Sequence, residues 1–210
     1  MLLDADDSQL VLVDYQIRLM PAIFENQQVL ANALRLARMA KLLEVPVFGT
    51  AQSPDKLGDN VPELQQAIED AGGRTLAKTS FSAVPDGLGD WLRPLARKPA
   101  GGGGGGNARS LPKHLQKPAP VEEPGRGIIV IAGCEAHVCL MQTALDLLEE
   151  EFDVWVVTDA CSSRTERNRD AAFDRLAGNG AELVTTEMVA FEWLRDADHE
   201  FFKDFQALIK

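Results

Sequence analysis

Cysteine is scarce in this chain: three in 210 residues, an odd number with no paired spacing, which excludes a disulfide-stapled scaffold and fits a reducing compartment. Basic residues are outnumbered, 21 Lys and Arg against 32 Asp and Glu, leaving a net charge of −11. Nucleic-acid binding draws most of its affinity from cations clustered on phosphates, so no nucleic-acid partner is expected. The acid excess reads as a solvated surface and says nothing of substrate. No apolar run approaches the roughly 18 residues that a membrane helix needs. The N-terminal stretch MLLDADDSQ is acidic where a signal peptide is basic, so a cytoplasmic protein without a membrane partner is expected.

What is present is enough apolar sequence, 45% of residues, to bury one core, and a single domain over residues 1–210 follows. Short apolar runs at 9–13, 45–50, 74–78, 127–132, 153–157 and 181–185 read as strands. Helical spacing fills the gaps, with Val29, Leu30, Ala33, Leu34, Ala37, Ala40 and Leu43 in the first, then helices over about 61–71, 87–96, 140–148 and 165–177. Six strands alternating with helices predict an α/β, doubly wound parallel sheet with helices on both faces and right-handed crossovers.

Residues 98–126 interrupt the rhythm with six consecutive glycines and the run KPAPVEEPG, a composition that buries no core face. The segment reads as an insertion, either a surface loop or a lid or subunit contact, since the alternation resumes in phase after it. Phe202, Phe205, Leu208 and Ile209 share a face of a final helix, which docks on its own domain or serves an oligomer contact.

The segment 133–140, GCEAHVCL, joins the 127–132 strand to the following helix and sets Cys139 at the helix start. First-turn N–H groups and the positive end of the helix dipole stabilise a thiolate there, the form that attacks as a nucleophile. A small buried thiol is the plainer account of the same position. Ligands of open parallel sheets bind beyond the carboxyl ends of the strands, at the point where strand order reverses. Asp14 follows the first strand and Lys78 ends the third, so both fall on that edge with Cys139. Taken singly they are a helix cap, a surface amine and a packed thiol. Together, a carboxylate can take the thiol proton while an ammonium and a helix N-terminus hold the negative charge. Cys134, His137 and Cys139 fit no usual zinc spacing, and Cys134 and Cys139 lack the Cys-x-x-Cys form of a redox pair.

With Asp14 in LVLVDYQ, Lys78 in AKTSFSA, Cys139 in GCEAHVCLMQTALDLL and the next strand in VWVVTDACSSR, the chain resembles the isochorismatase-like cysteine hydrolases. LLEVPVFGTAQSPDKLGDNVPEL and DACSSR carry a closer likeness to isochorismatase-domain-containing proteins of animals and bacteria. The resemblance covers nearly all of the chain outside 98–126. It implies a Rossmann-like sheet of order 3-2-1-4-5-6, an Asp14–Lys78–Cys139 triad, a cis peptide bond before Glu135, and an oxyanion hole formed by the backbone N–H groups of Glu135 and Cys139.

Ala136 stands where many relatives carry threonine, and the Asp-x-His and second His that hold a metal in nicotinamidases have no counterpart after the second strand. The histidines are His114, His137 and His199. The expected protein is therefore a metal-independent, cofactor-free hydrolase of a small amide-like C–N substrate that assembles as a homo-oligomer. Gln16, Gln52, Phe81, Ala136 and His137 are candidates for its substrate pocket. A non-catalytic oligomeric scaffold, and an isochorismatase or other non-amide hydrolase, are the alternatives.

Overall fold

The computed structural model describes residues 1–93 and 126–210. The 98–126 insertion, apart from Arg126, lies outside the described residues, as does the end of the helix expected over 87–96. Strands β1 (Ser8–Val13), β2 (Val47–Gln52), β3 (Arg74–Lys78), β4 (Ile128–Gly133), β5 (Asp153–Val157) and β6 (Glu182–Val184) form one sheet in the order β3-β2-β1-β4-β5-β6. All five pairings are parallel. The central strands β1 and β4 are buried at every position, as a sheet covered on both faces requires.

Helix α1 (Asn26–Leu42) packs with Val29, Ala33, Leu36, Ala37 and Ala40 buried, a stripe whose alanines allow close approach to its neighbours. Each fully buried leucine of such a stripe contributes about 1.5–3 kcal/mol. The short α2 (Pro54–Leu57), α3 (Pro62–Asp70) and α4 (Leu88–Leu92) follow on the β2–β3 side. Beyond β4 come α5 (Met141–Glu149), α6 (Glu166–Gly178), α7 (Thr186–Leu194) and α8 (Phe202–Ile209). The Thr165 and Thr185 hydroxyls cap α6 and α7 by accepting from Asn168 and Met188 N–H at 3.3 Å. Phe205 of α8 is fully buried, and Arg35 Nε of α1 donates to the Leu208 carbonyl at 2.8 Å, so α8 docks on its own domain. Among the described residues no helix is long and apolar enough to cross a membrane.

Strand β2 runs two residues later than its apolar run suggests. It follows Pro46, which has no N–H to give to the ladder, and continues to Gln52, where β3 supplies Lys78 as partner. Helix α7 escapes sequence periodicity because Met188, Val189, Phe191, Trp193 and Leu194 leave no polar face to define a stripe. Order reversal between β1 and β4 places the switch point between Asp14 and the segment carrying Cys139.

Candidate active site

Asp14 leaves β1 in the left-handed region, with φ of 54°, a conformation in which Asp is enriched among non-glycine residues. Its side chain is wholly buried, and Thr50 Oγ1 donates to Oδ1 at 2.7 Å. Oδ2 stands 2.8 Å from Lys78 Nζ. The ammonium has three N–H donors, and these go to Gln52 Oε1 at 2.6 Å, the Phe81 carbonyl at 3.0 Å and the Ser80 carbonyl at 3.2 Å. Asp14 Oδ2 is thus paired by charge yet receives no well-aligned hydrogen bond, and it keeps free acceptor capacity inside the protein.

The loop that wraps Lys78 is itself held. Asp86 Oδ2 accepts from the N–H groups of Thr79 and Ser80, both at 2.9 Å. Thr143 Oγ1 accepts from Ala83 N–H at 3.0 Å and donates to the Cys139 carbonyl at 2.7 Å, joining this loop to the segment that carries Cys139.

Cys139 does not open α5. It lies in a π-helical turn, Ala136–Leu140, immediately ahead of it. Only 6% of Cys139 is exposed, and its Sγ lies 3.9 Å from Gln52 Oε1, the same oxygen that accepts from Lys78. Burial pushes the thiol up to about 12; the Asp14 carboxylate acts in the same direction and the Lys78 ammonium against it. Desolvation and the nearby carboxylate outweigh the cation here, so the net direction is opposite to the one that a helix start suggests.

The peptide bond between Cys134 and Glu135 is cis. Gly133 before it lies against β1 so closely that a Cβ would run into the Val13 carbonyl oxygen. Among the described residues the Glu135 N–H meets no acceptor, whereas the next N–H, of Ala136, is given to the Ser162 carbonyl at 2.8 Å. The Glu135 carboxylate is held by Arg164, Nη2 to Oε1 at 2.6 Å and Nε to Oε2 at 3.0 Å. Burial acts to raise that carboxyl, but the Arg164 guanidinium and backbone N–H prevail and hold it below the usual carboxylate range. Cys134 is fully buried, and burial pushes its thiol up to about 12.

Asp14, Lys78, Gln52 and Cys139 are thus brought together, with Glu135 and Ala136 on the turn beside them. Gln52 is the bridge, placed next to Lys78 by strand register. Gln16 spends its whole amide on backbone: Nε2 donates to the carbonyls of Gln52 and Gly58, and Oε1 accepts from Gln52 N–H. It fixes the end of β2. Phe81 gives its carbonyl to Lys78 and leaves its side chain on the surface, the residue being 55% exposed. His137 is half-buried, its Nδ1 2.9 Å from Ser163 Oγ. Sequence reasoning missed Thr50, Thr143, Ser162, Ser163 and Arg164. For Thr50, Ser162, Ser163 and Arg164 the signals were the polar ends of VPVFGT and DACSSR; Thr143, inside the helical run LMQTALDLL, had none.

The sequence matches the Isochorismatase domain over residues 8–99 and 119–188. It is 34% identical to isochorismatase domain-containing protein 2A of Mus musculus over 98% of this chain and 84% of that protein. It is 36% identical to isochorismatase domain-containing protein 2 of Homo sapiens over 97% and 83%. A structure described as MAR1 ribonuclease from Caenorhabditis elegans superposes with a TM-score of 0.81 at 28% identity, covering 100% of this chain and 92% of that one. YcaC from Pseudomonas aeruginosa, solved with hexane-2,5-diol and covalent acrylamide, gives 0.78 at 26% identity over 99% and 90%. The Escherichia coli YcaC product, described as an octameric hydrolase of unknown specificity, gives 0.76 at 27% identity over 100% and 95%. With its sheet order, its reversal point and this sequence match in agreement, the chain belongs to the isochorismatase domain family.

Proposed function

We propose that the protein is a metal-independent cysteine hydrolase acting on a C–N bond of a small amide-like molecule. One observation carries the reading: Asp14 Oδ2 is fully buried, paired by charge with Lys78 at 2.8 Å, and lacks a hydrogen-bond donor. Asp14 takes the Cys139 proton as Sγ bonds to the substrate carbonyl carbon, which avoids a free thiolate in a site that disfavours one. Charge passes to the carbonyl oxygen, where the N–H groups of Glu135 and Cys139 receive it. The C–N bond then breaks, the amine leaves with the proton from Asp14, and a thioester remains. Water then attacks the thioester carbon as Asp14 accepts its proton; the C–S bond breaks, that proton passes to sulfur, the carboxylic acid leaves, and Cys139 returns as a thiol. The metal-independent part rests on the absence of the Asp-x-His pattern after β2, where the sequence reads TAQSPDK.

Self-association belongs to the same proposal and is supported by the octameric neighbour. A ribonuclease activity, named for another neighbour, sits poorly with a net charge of −11. The near-closed thiol, pushed up to about 12, favours a second reading, a non-catalytic oligomeric scaffold. A panel of small amides and carbamates separates the two. Ammonia or amine release that disappears in Cys139→Ser supports the hydrolase, and stable assembly with no turnover of any member supports the scaffold. Iodoacetamide at neutral pH, read by mass spectrometry, adds a direct check: Cys139 should label before Cys134 and Cys161, and equal labelling counts against an activated thiol.

A further inference from the structure

The nucleophile turn is tied at three successive residues to the loop that follows β5. The Ser162 carbonyl accepts from Ala136 N–H at 2.8 Å, Ser163 Oγ lies 2.9 Å from His137 Nδ1, and Arg164 grips Glu135. That grip has three parts: guanidinium Nε and Nη2 on the two carboxylate oxygens at 3.0 and 2.6 Å, and the Arg164 backbone N–H on Oε2 at 2.9 Å. The carboxylate is 8% exposed and the arginine side chain 62%. An ion pair with so exposed a cation contributes little to stability. A bidentate fork nevertheless fixes orientation, and here it fixes the residue whose own N–H meets no acceptor among the described residues.

We infer that Arg164 is a positioning residue, which clamps the Glu135 side chain and thereby holds the Glu135 N–H toward the substrate oxygen that gains charge. The inference rests on the hydrolase reading above, and two electrophiles separate them. In acrylamide addition the Cys139 Sγ–C bond forms at the β-carbon and the C=C electron pair moves toward the amide oxygen as an enolate. The thiol proton ends on the α-carbon. In iodoacetamide alkylation the Sγ–C bond forms as the C–I bond breaks; iodide leaves, the thiol proton passes to solvent, and no charge develops on the amide oxygen. The ratio of the two rates at Cys139 therefore reports the oxyanion donors and cancels the reactivity of the thiol.

Arg164→Ala is expected to slow acrylamide addition about tenfold, less than the ~10²–10³ that removal of a whole donor costs, and to change the iodoacetamide rate by less than about twofold. Arg164→Lys, which keeps the charge and loses the fork, should lower the ratio too, and it carries the measurement if the alanine variant does not fold. Glu135→Gln combined with Arg164→Ala should be no worse than Arg164→Ala alone, because both act through one contact. Arg167→Ala, on the exposed face of α6, should leave the ratio unmoved. Both rates falling together, or neither moving, overturns the positioning role while the hydrolase reading stands. A wild-type Cys139 inert to both reagents overturns the hydrolase reading, and the role of Arg164 with it.

Discussion

Lys78 Nζ and Asp14 Oδ2 stand 2.8 Å apart with neither side chain reaching solvent. Taking away one member of such a pair leaves the other charged and buried, a larger loss than the net contribution of the pair itself. Lys78→Met is expected to lower the unfolding free energy by about 3–5 kcal/mol. The double variant Asp14→Leu with Lys78→Met should recover most of that. Urea denaturation of the three proteins is the measurement, and losses that simply add would contradict the coupling.

Asp14→Asn separates thiol reactivity from turnover. The Asp14 carboxylate pushes the Cys139 thiol up while Lys78 pulls it down, so removing the carboxylate should free the thiolate and raise the iodoacetamide rate at neutral pH, by about tenfold for each unit of pKa released. Amide hydrolysis should be lost, because nothing remains to deliver the proton to the leaving amine. Parallel alkylation and ammonia-release assays check this, and a fall in both would mean that Asp14 assists alkylation as well.

Stability should decline in alkali. Cys134 and Cys139 both rise from 9.0 to about 12, and Cys161 is raised by burial as well. Above about pH 9 the unfolded chain has released protons that the native state still binds, so unfolding becomes easier with each step upward. The thiol contribution is complete below about 9 and is lost on the way to about 12. Urea midpoints across that range should fall, and Cys134→Ala should flatten the slope.

Thr143→Val tests the bridge between the Lys78 loop and the turn that carries Cys139. The variant keeps the shape of the side chain but leaves the buried Ala83 N–H without its acceptor, at an expected cost of about 1–3 kcal/mol. Slower turnover with unchanged substrate affinity should accompany the loss, since both Lys78 and Cys139 hang on this contact. Gly133→Ala should be at least as disruptive, because the added methyl meets the Val13 backbone and no flexible side chain.

The sheet was legible because its signal is local: six apolar runs of strand length, separated by helical spacing, leave little choice of architecture. Asp14, Lys78 and Cys139 could be put on one edge for the same reason, since Asp14 and Lys78 sit where a strand run stops and Cys139 in the connection from the fourth strand to its helix. What periodicity could not give was the partner of each polar group. Thr50, Gln52 and Thr143 earn their roles from strand register and from a loop folded back across the sheet, contacts between residues distant in sequence. The direction of the Cys139 shift was equally hidden, because a helix start suggests stabilisation whereas depth and a neighbouring carboxylate decide the outcome. Helix α7, TEMVAFEWL, spreads its apolar residues too widely to leave a stripe to read.

The order of the strands also divides the candidate site in a particular way. Residues 1–93 bring β1, β2 and β3 with Asp14, Gln52 and Lys78, while residues 126–210 bring β4, β5 and β6 with Cys139, Glu135 and Arg164. On the proposed reading, the base and its counter-ion come from one half of the chain and the nucleophile with its oxyanion donors from the other, and the β1–β4 pairing is the strand seam between them. A chain severed between those halves would carry two inert fragments, and recovery of Cys139 chemistry on mixing them would be a direct readout of that seam closing.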